Sequence, residues 1–485
     1  MFQLFRKSEN NRKKPMDPGN RQILVITYAF VLIFILLIGY LFIYTQFYSE
    51  DLISNPYNKR QDLYAKKVVR GQILSRDHEV LAETETDEEG NERRVYPYQH
   101  LFAHAIGFTS HGKIGIESIA NFKLLTSDVY IGERLRNDFA GRKNPGNKVV
   151  TTLDVYMQQV ADVSMGNRSG AVIATDLKTG EILVLLSKPD FDPNTILTNW
   201  DELNADQERS VLLNRATQGL YPPGSTFKIV TALAYLKEHS DPDDYAFDCK
   251  GSFTYEGNVI NCYHGIKHGE LDFTKSFAKS CNSSFANIST QLNRRSFKQT
   301  CNELLFDAAI PSPYSYRQST IPLKSSSSIG EVMQTAIGQG KTMITPFHMN
   351  LITQAIANDG ILMDPYVISG IYTAYDDPVK ETKPSEFGRL VGRSYAKKMQ
   401  RLMEEVVQTG TATKLKDTVG YTASGKTGSA EYTTDKSRSH AWFTGYAGRE
   451  EPKIAVTVIV EDGGSGGDVA VPVARNVFDA YFGRY

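Results

Sequence analysis

The chain carries almost no net charge. Its 485 residues hold 54 Lys+Arg against 55 Asp+Glu, a formal balance of −1 at pH 7. A nucleic-acid partner asks for a basic surface, and this balance argues for none. No internal repeat is visible, so a stacked-repeat architecture is not expected. Long apolar runs are missing too, with one exception. "ILVITYAFVLIFILLIGYLFIY", Ile23 to Tyr44, contains no charged residue. As a helix it rises about 33 Å, enough for the hydrocarbon core of a bilayer. It is too long for a cleaved leader and no small-x-small cleavage pattern follows, so residues 22–48 are expected as a signal-anchor helix. Arg6, Lys7, Arg12, Lys13, Lys14 and Arg21 precede it. By the positive-inside rule the 1–21 tail is cytoplasmic and the rest of the chain lies outside the membrane. Tyr40, Phe42, Tyr44, Phe47 and Tyr48 crowd the far end, as an interfacial aromatic belt does.

A second absence concerns "GYTASGKTGSAE", residues 420 to 431. Gly420, Gly425, Lys426 and Thr427 satisfy the phosphate-loop pattern G-x-x-x-x-G-K-[ST]. That loop needs a buried strand before it and a helix after it. Neither "TATKLKDTV" upstream nor "GSAEYTTDKSRSH" downstream supplies one. The segment is also expected outside the cell, away from ATP. "GGSGG", 463 to 467, fits the G-x-S-x-G nucleophile elbow, but that fold needs a histidine after the serine, and the last one is His440. It is expected as a turn.

The chain is too long for one compact core, so two or three domains are expected. The charged run "ETETDEEGNERR" reads as a solvated loop. Gly, Pro and Asn cluster at "GRKNPGNK" and mark a boundary near residue 148. Beyond it, Ala171 to Thr175 and Glu181 to Leu186 read as a strand–turn–strand hairpin. Helices are expected over "STFKIVTALAYLK" and at 276–293, 330–357, 394–408 and 469–482. "HAWFTGYAG" and "KIAVTVIVED" are late strands. A hairpin, a helical middle and late strands point to an α+β fold, a central antiparallel sheet flanked by helices.

"YPPGSTFKIVTAL", 221 to 233, is the first segment with chemistry. Two prolines and a glycine stop what precedes, and a helix begins near Ser225. Lys228 lies three residues on and shares its face. Phe227, Ile229, Val230, Ala232 and Leu233 surround them. An amine there loses hydration and its pKa falls, so it can take the proton of a neighbouring hydroxyl. S-x-x-K recurs at Ser110/Lys113, Ser276/Lys279 and Ser394/Lys397, but without the Pro-Gly stop and the apolar setting. In "KSCNSSF", Ser280 and Asn282 place a hydroxyl two residues from a carboxamide, fit to relay a proton and hold an amide. Ser8/Asn10 has the same spacing in the tail. Lys426-Thr427-Gly428 offers a cation, a donor and close backbone approach where a strand could begin. The copy at Lys178–Gly180 reads as a hairpin turn.

S-x-x-K, S-x-N and K-T-G, in that order, form the penicillin-binding protein and serine β-lactamase signature. The chain resembles a class B penicillin-binding protein, a peptidoglycan D,D-transpeptidase. "YPPGSTFK", "SCNSSFA", "AIGQGKTMITPFHM", "ASGKTGSAE" and "HAWFTGYAG" are similar to that family's transpeptidase domain. "RGQILSRDHEVLAET" and "RRVYPYQHLFAHAIGF" are similar to its N-terminal pedestal, with Ser75 where Asp is usual. The resemblance implies a pedestal over 49–148 and a transpeptidase domain over 149–485. It implies that Ser225 attacks the penultimate D-Ala carbonyl of a stem peptide, with Lys228 as base. Backbone N–H groups of Ser225 and Ser429 would form the oxyanion hole. Ser280 would pass a proton to the departing D-Ala, and Asn282 would hold the peptide amide. Lys426, Thr427 and Ser429 would take the terminal carboxylate, and Gly428 would let the substrate approach the backbone. A second stem's amine would then resolve the acyl-enzyme. β-Lactams would acylate the same serine. The family implies no metal and no cofactor for this reaction, and a SEDS-type glycosyltransferase as membrane partner.

Three rival activities share parts of the signature. A class A β-lactamase carries an E-x-x-N stretch between S-x-N and K-T-G, and no Glu between 282 and 426 has Asn three residues on. A D,D-carboxypeptidase shares all three motifs. A membrane β-lactam sensor is the non-enzymatic alternative, and it would carry several spans and a cytoplasmic effector. Among the cysteines, Cys249 and Cys262 are open to three readings: a disulfide across the hairpin "KGSFTYEGNVIN", free thiols, or a zinc set with His264 and His268. Cys281 is expected to pack inward, and Cys301 says nothing.

Overall fold

The computed structural model describes residues 18–47, 64–239, 242–432 and 438–484. The basic tail residues before Arg21, the aromatic Tyr48 and the start of the expected pedestal lie outside the described residues. The chain divides into two compact units, Met1–Lys59 and Arg60–Tyr485. The first contains the helix Pro18–Phe47. Its stretch Arg21–Tyr44 has a mean hydropathy of 2.8 and is long and apolar enough to cross a membrane. Among the described residues no other helix is, which supports a single-pass topology.

The second unit is built on a five-stranded antiparallel sheet. Its strands are β1 (Gly170–Asp176), β2 (Ile182–Lys188), β3 (Thr422–Glu431), β4 (Ser439–Gly448) and β5 (Pro452–Val460), in the spatial order β3-β4-β5-β1-β2. The hairpin and the two late strands are therefore neighbours, as the α+β reading expects. Successive side chains of a strand point to opposite faces. Every residue of β4 is buried, so both faces of the sheet are covered. Helices Pro346–Ala357 and Arg393–Gln408 pack on the sheet, as does the C-terminal helix Val471–Arg484, which also packs on Val155–Met165.

Two expected helices are broken, and both breaks serve the site. The 276–293 segment divides into Phe273–Ala278 and Asn282–Thr290. Ser280 between them adopts φ +56°, a left-handed conformation that ends the first helix. The 330–357 segment divides into Ile329–Ala336 and Pro346–Ala357. Gly338 stops the first, at φ +75°, where a Cβ would meet Gly224 O at 1.9 Å. Pro346 starts the second at a position where a missing N–H does no harm.

The residues before 148 form strands Ile73–Leu74, Val80–Thr86 and Glu92–Val95, joined by Lys148–Thr151. Ile368–Tyr372 and Pro378–Glu381, from far along the chain, extend this sheet to six strands. Residue 148, where the composition marks a boundary, lies within a strand paired on both sides. Ser75, in place of the usual Asp, is fully buried and its Oγ accepts from Asp77 N at 3.2 Å and Glu79 N at 3.0 Å. The hydroxyl thus closes the turn as a carboxylate would.

Candidate active site

The Pro-Pro-Gly stop ends at Gly224, whose φ of +52° is one that an L side chain resists. A Cβ there would meet Ser429 O and Ala430 Cβ at 2.9 Å. The turn can therefore lie directly on β3. It continues as the 3₁₀ turn Gly224–Phe227 and the helix Lys228–Glu238. Ser225 sits at the start, where helix N–H groups have no intrahelical acceptor. Gly428 faces it from β3, with Thr226 N 3.2 Å from where a Cβ would be. The N-terminus of this helix and the backbone of Ser429 thus border one space, the arrangement that an oxyanion hole needs.

Lys228 is fully buried. Its Nζ lies 2.9 Å from Ser225 Oγ, 2.6 Å from Ser280 O, 3.2 Å from Ser280 Oγ and 2.7 Å from Asn282 Oδ1. Burial pulls its pKa down to about 7, against weaker opposition from the thiols of Cys281 and Cys262. Lys426 is fully buried as well, with Nζ 2.8 Å from Ser280 Oγ and 3.0 Å from Thr427 O. Burial first, then the charge of Lys228, pushes it well below the ordinary lysine value. Ser280 Oγ therefore bridges two amines that cannot both hold a proton cheaply. The left-handed backbone of Ser280 is what turns its hydroxyl to that point, a strain typical of sites where structure over-determines one residue.

All eight expected site residues converge. Ser225, Ser280, Asn282, Thr427, Gly428 and Ser429 line one cleft of about 690 Å³. Lys228 and Lys426 form its buried floor through the contacts above. Lys426 is not at the start of a strand, as the sequence suggests, but midway along ten-residue β3, paired with Thr444. No helix follows it, so the phosphate-loop string is a strand. Cleft residues to which the sequence assigns no role include Gln334, Thr411, Thr413 and Gln339, the last inside the family-like segment "AIGQGKTMITPFHM". The Thr411 and Thr427 hydroxyls bond each other. The "GGSGG" turn supplies a further wall: a Cβ at Gly466 would meet Gly428 O at 2.5 Å, so glycine allows that approach.

Two of the decoys lie in surface ion pairs, whereas Lys279 of the Ser276/Lys279 copy lines the cleft itself. Lys178 of the other K-T-G copy pairs with Glu451 at 3.2 Å on the surface. Lys397 of one S-x-x-K copy pairs with Asp359 at 2.7 Å. We expect Lys178→Ala to leave the rate of serine acylation within about twofold of wild type, since surface ion pairs contribute little. Lys426→Ala should lower it by about 10²- to 10³-fold, the range for a donor in a preorganised anion site. Equal losses would mean that the wrong copy has been assigned.

A family model, penicillin binding protein transpeptidase domain, matches residues 170–479. A second, penicillin binding protein A dimerisation domain, matches residues 70–149. The peptidoglycan D,D-transpeptidase PbpA of Mycolicibacterium smegmatis is 30% identical over 482 residues, covering 93% of this chain and 96% of that protein. Penicillin-binding protein A of Mycobacterium tuberculosis, solved as a ceftriaxone acyl-enzyme complex, superposes with a TM-score of 0.79 at 29% identity, over 87% of this chain and 99% of that one. The D,D-transpeptidase domain of a peptidoglycan glycosyltransferase from Eggerthella lenta gives 0.78 at 27% identity, over 86% and 99%.

Proposed function

The chain belongs to the penicillin-binding protein transpeptidase family, and from that premise we propose how its site works as a peptidoglycan D,D-transpeptidase. The observation that carries the reading is the fully buried Lys228 amine 2.9 Å from Ser225 Oγ. An ordinary lysine with a pKa of 10.5 would leave only about one amine in 3,000 free at pH 7. At about 7, half are free. Lys228 takes the Ser225 proton as the oxygen attacks the carbonyl of the penultimate D-Ala. The N–H groups of Ser225 and Ser429 receive the oxyanion. Ser280 carries a proton from the lysine pair to the departing D-Ala nitrogen, and Asn282 positions the peptide amide. The stem's terminal carboxylate is received by Lys426, Thr427 and Ser429. Its arrival returns a proton to Lys426, because an anion beside an amine favours the charged form. That charge, close to Lys228, keeps the base neutral. Substrate binding therefore completes the catalytic protonation state.

Residues 49–148 act as the pedestal and 149–485 as the catalytic domain. The basic residues before the span support a cytoplasmic N-terminus, with the site outside. A SEDS-type glycosyltransferase would supply the glycan strand, meeting the span and the pedestal. The relatives solved as acyl-enzymes support β-lactam acylation of Ser225.

The test uses the full chain in detergent. With penicillin G, intact mass should show a one-to-one adduct that persists for hours, on the peptide containing Ser225. Rapid loss of the adduct would indicate a β-lactamase. With a D-Ala thioester donor and an acceptor amine, a transpeptidase makes the transfer product; hydrolysis alone would indicate a D,D-carboxypeptidase, and acylation without turnover a sensor. The acylation rate should rise about tenfold per pH unit below pH 7 and level off above it, since Lys228 is a base only when deprotonated. Lys426, Cys262 and Cys281 are the titratable groups that act on it. A rate that falls with rising pH would remove Lys228 from the role.

A further inference from the structure

β3 is an edge strand, and one acidic side chain near its end has no part in the reaction above. Successive side chains of a strand alternate between faces. Thr427, Ser429 and Glu431 therefore stand in one row, and all three line the cleft. Ala430, on the other face, is fully buried. The cleft wall holds a second acid, Asp468, which pairs with Lys414 at 2.7 Å. Glu431 is partly exposed and pairs with no cation among the described residues. Its backbone, in contrast, is held from both sides. The Gln339 side-chain nitrogen donates to Glu431 O at 3.0 Å, and the side-chain oxygen accepts from Glu431 N at 3.2 Å. The preceding residue, Gly338, accepts from Gly224 N through its carbonyl at 2.9 Å. One loop thus fixes both the turn that presents Ser225 and the residue that presents the Glu431 carboxylate.

We propose that Glu431 reads the donor-stem residue that precedes the two D-Ala units, and selects one whose side chain carries a protonated amine. The inference rests on the transpeptidase reading above, which sets the direction of the donor. The terminal carboxylate lies at Thr427 and Ser429. The attacked carbonyl lies between Ser225 and the Ser429 N–H. To pass from carboxylate to carbonyl is to move along β3 from 427 toward 429. The peptide that precedes the carbonyl continues the same way. Residues two apart on a strand are about 6.8 Å apart, and each extended residue of donor spans about 3.4 Å. The residue before the two D-Ala units therefore comes within reach of the side chain at 431.

A carboxylate with no cation of its own favours a charged amine in a partly closed cleft. An acceptor stem also brings an amine, but that nitrogen must be neutral to attack the acyl-enzyme. A carboxylate beside it would hold it protonated. On the donor the same effect does no harm, because the side-chain amine there takes no part in the bond being made. Glu431 thus suits the donor's amine and not the acceptor's. Gln339 acts as a positioning residue, since it touches the backbone of Glu431 and leaves the carboxylate free to meet the substrate.

The test compares two donors on the full chain in detergent. One is the thioester Nα-acetyl-L-lysyl-D-alanyl-D-thiolactate; the other is the same compound with the lysine amine acetylated. With no acceptor present, kcat/KM for thiol release reports the steps through acylation of Ser225. At pH 7 and low salt the amine donor should be used about tenfold better, the range for one hydrogen bond between charged groups. Added salt should shrink that ratio. Glu431→Gln should bring it to within about twofold of one, and Glu431→Lys should take it below one, because like charges repel. Gln339→Ala should lower the same ratio, whereas a general loss of packing would slow both donors alike. Equal use of the two donors by the wild type would overturn the inference and leave the acyl transfer standing. A preference that persists in Glu431→Gln would overturn it too, by giving the amine another partner. So would a Glu431→Gln effect confined to the KM of an added acceptor amine, which would move the carboxylate to the other substrate. Thiol release from neither donor would overturn the transpeptidase reading and this inference with it. Should a variant fail to fold, the wild-type ratio and its response to salt still decide.

Discussion

Ser225→Ala will yield no covalent adduct with penicillin, at any pH and after any incubation, while its unfolding midpoint stays at that of wild type. The hydroxyl is the attacking atom, and it combines an adjacent buried amine with a place at a helix start, where free N–H groups can receive an oxyanion. Ser280 Oγ is the nearest alternative, at 3.2 Å from Lys228 and 2.8 Å from Lys426. It lies on the left-handed turn rather than at the helix start, away from the N–H groups that would receive an oxyanion. The substitution removes one part-buried oxygen, so the stability change should stay within about 1 kcal/mol. The companion variant Lys228→Met keeps the serine and removes the base. Acylation should slow by about 10²- to 10⁴-fold. What little remains should lose the rise toward pH 7, because the group lowered to about 7 is gone. Label on Ser225→Ala, found at Ser280 by peptide mapping, would transfer the nucleophile to the S-x-N turn and end the present assignment.

Why some of this site was legible in the sequence and some not has a physical basis. S-x-x-K is a local pattern: the helix itself puts residues three apart on one face, so the Ser225–Lys228 contact needs no tertiary knowledge. The apolar neighbours that depress Lys228 are likewise adjacent in sequence. K-T-G was legible through its order in the signature, but not its place in β3, since strand length depends on pairing with β4 across 439–448. The broken helices were hidden for a similar reason. "KSCNSSF" lies in a stretch that reads as one helix, and the left-handed residue that divides it, Ser280, is a serine rather than the glycine that would announce a break. Gln334 and Gln339 reach the cleft from one stretch of chain, and Thr411 and Thr413 from another. No spacing rule connects them. Cys249, Cys262, His268 and Cys281, whose sulfur and ring-nitrogen atoms lie within 4.8 Å of one another, show the limit most directly. Cys249, Cys262 and His268 are near in sequence, but Cys281 belongs to the catalytic motif and joins them only through the fold.

Glu117→Gln will destabilise the fold by about 3–5 kcal/mol, although it lies far from the chemistry in sequence. Glu117 is fully buried in the sheet-bearing region ahead of residue 148. One carboxylate serves two guanidiniums: Arg70 at 2.5 Å and Arg94 at 2.7 Å, both nearly buried themselves. Burial would raise this carboxyl, but Arg70 and then Arg94 outweigh it and hold the pKa below its ordinary 4.5. An amide keeps the shape and one acceptor but leaves two buried cations without a counter-charge. Breaking such a set is far more costly than never having built it. Tyr96, whose hydroxyl donates to Glu117 Oε1 at 3.3 Å, ties the set into the rest of the unit: its N–H donates to Asn194 Oδ1 at 2.9 Å and Asn194 Nδ2 donates to its carbonyl at 3.0 Å. Hydrogen exchange on the full chain should therefore accelerate first across 70–125 in Glu117→Gln, while penicillin still acylates Ser225. The pH dependence carries the sign. A carboxyl with a depressed folded pKa stabilises above its unfolded value near 4.5 and loses that stabilisation as pH falls through the folded value. The gap between wild type and variant should thus be full at pH 7 and shrink in acid. A gap that is absent at pH 7, or that widens in acid, would show that the triad is held by packing rather than by charge.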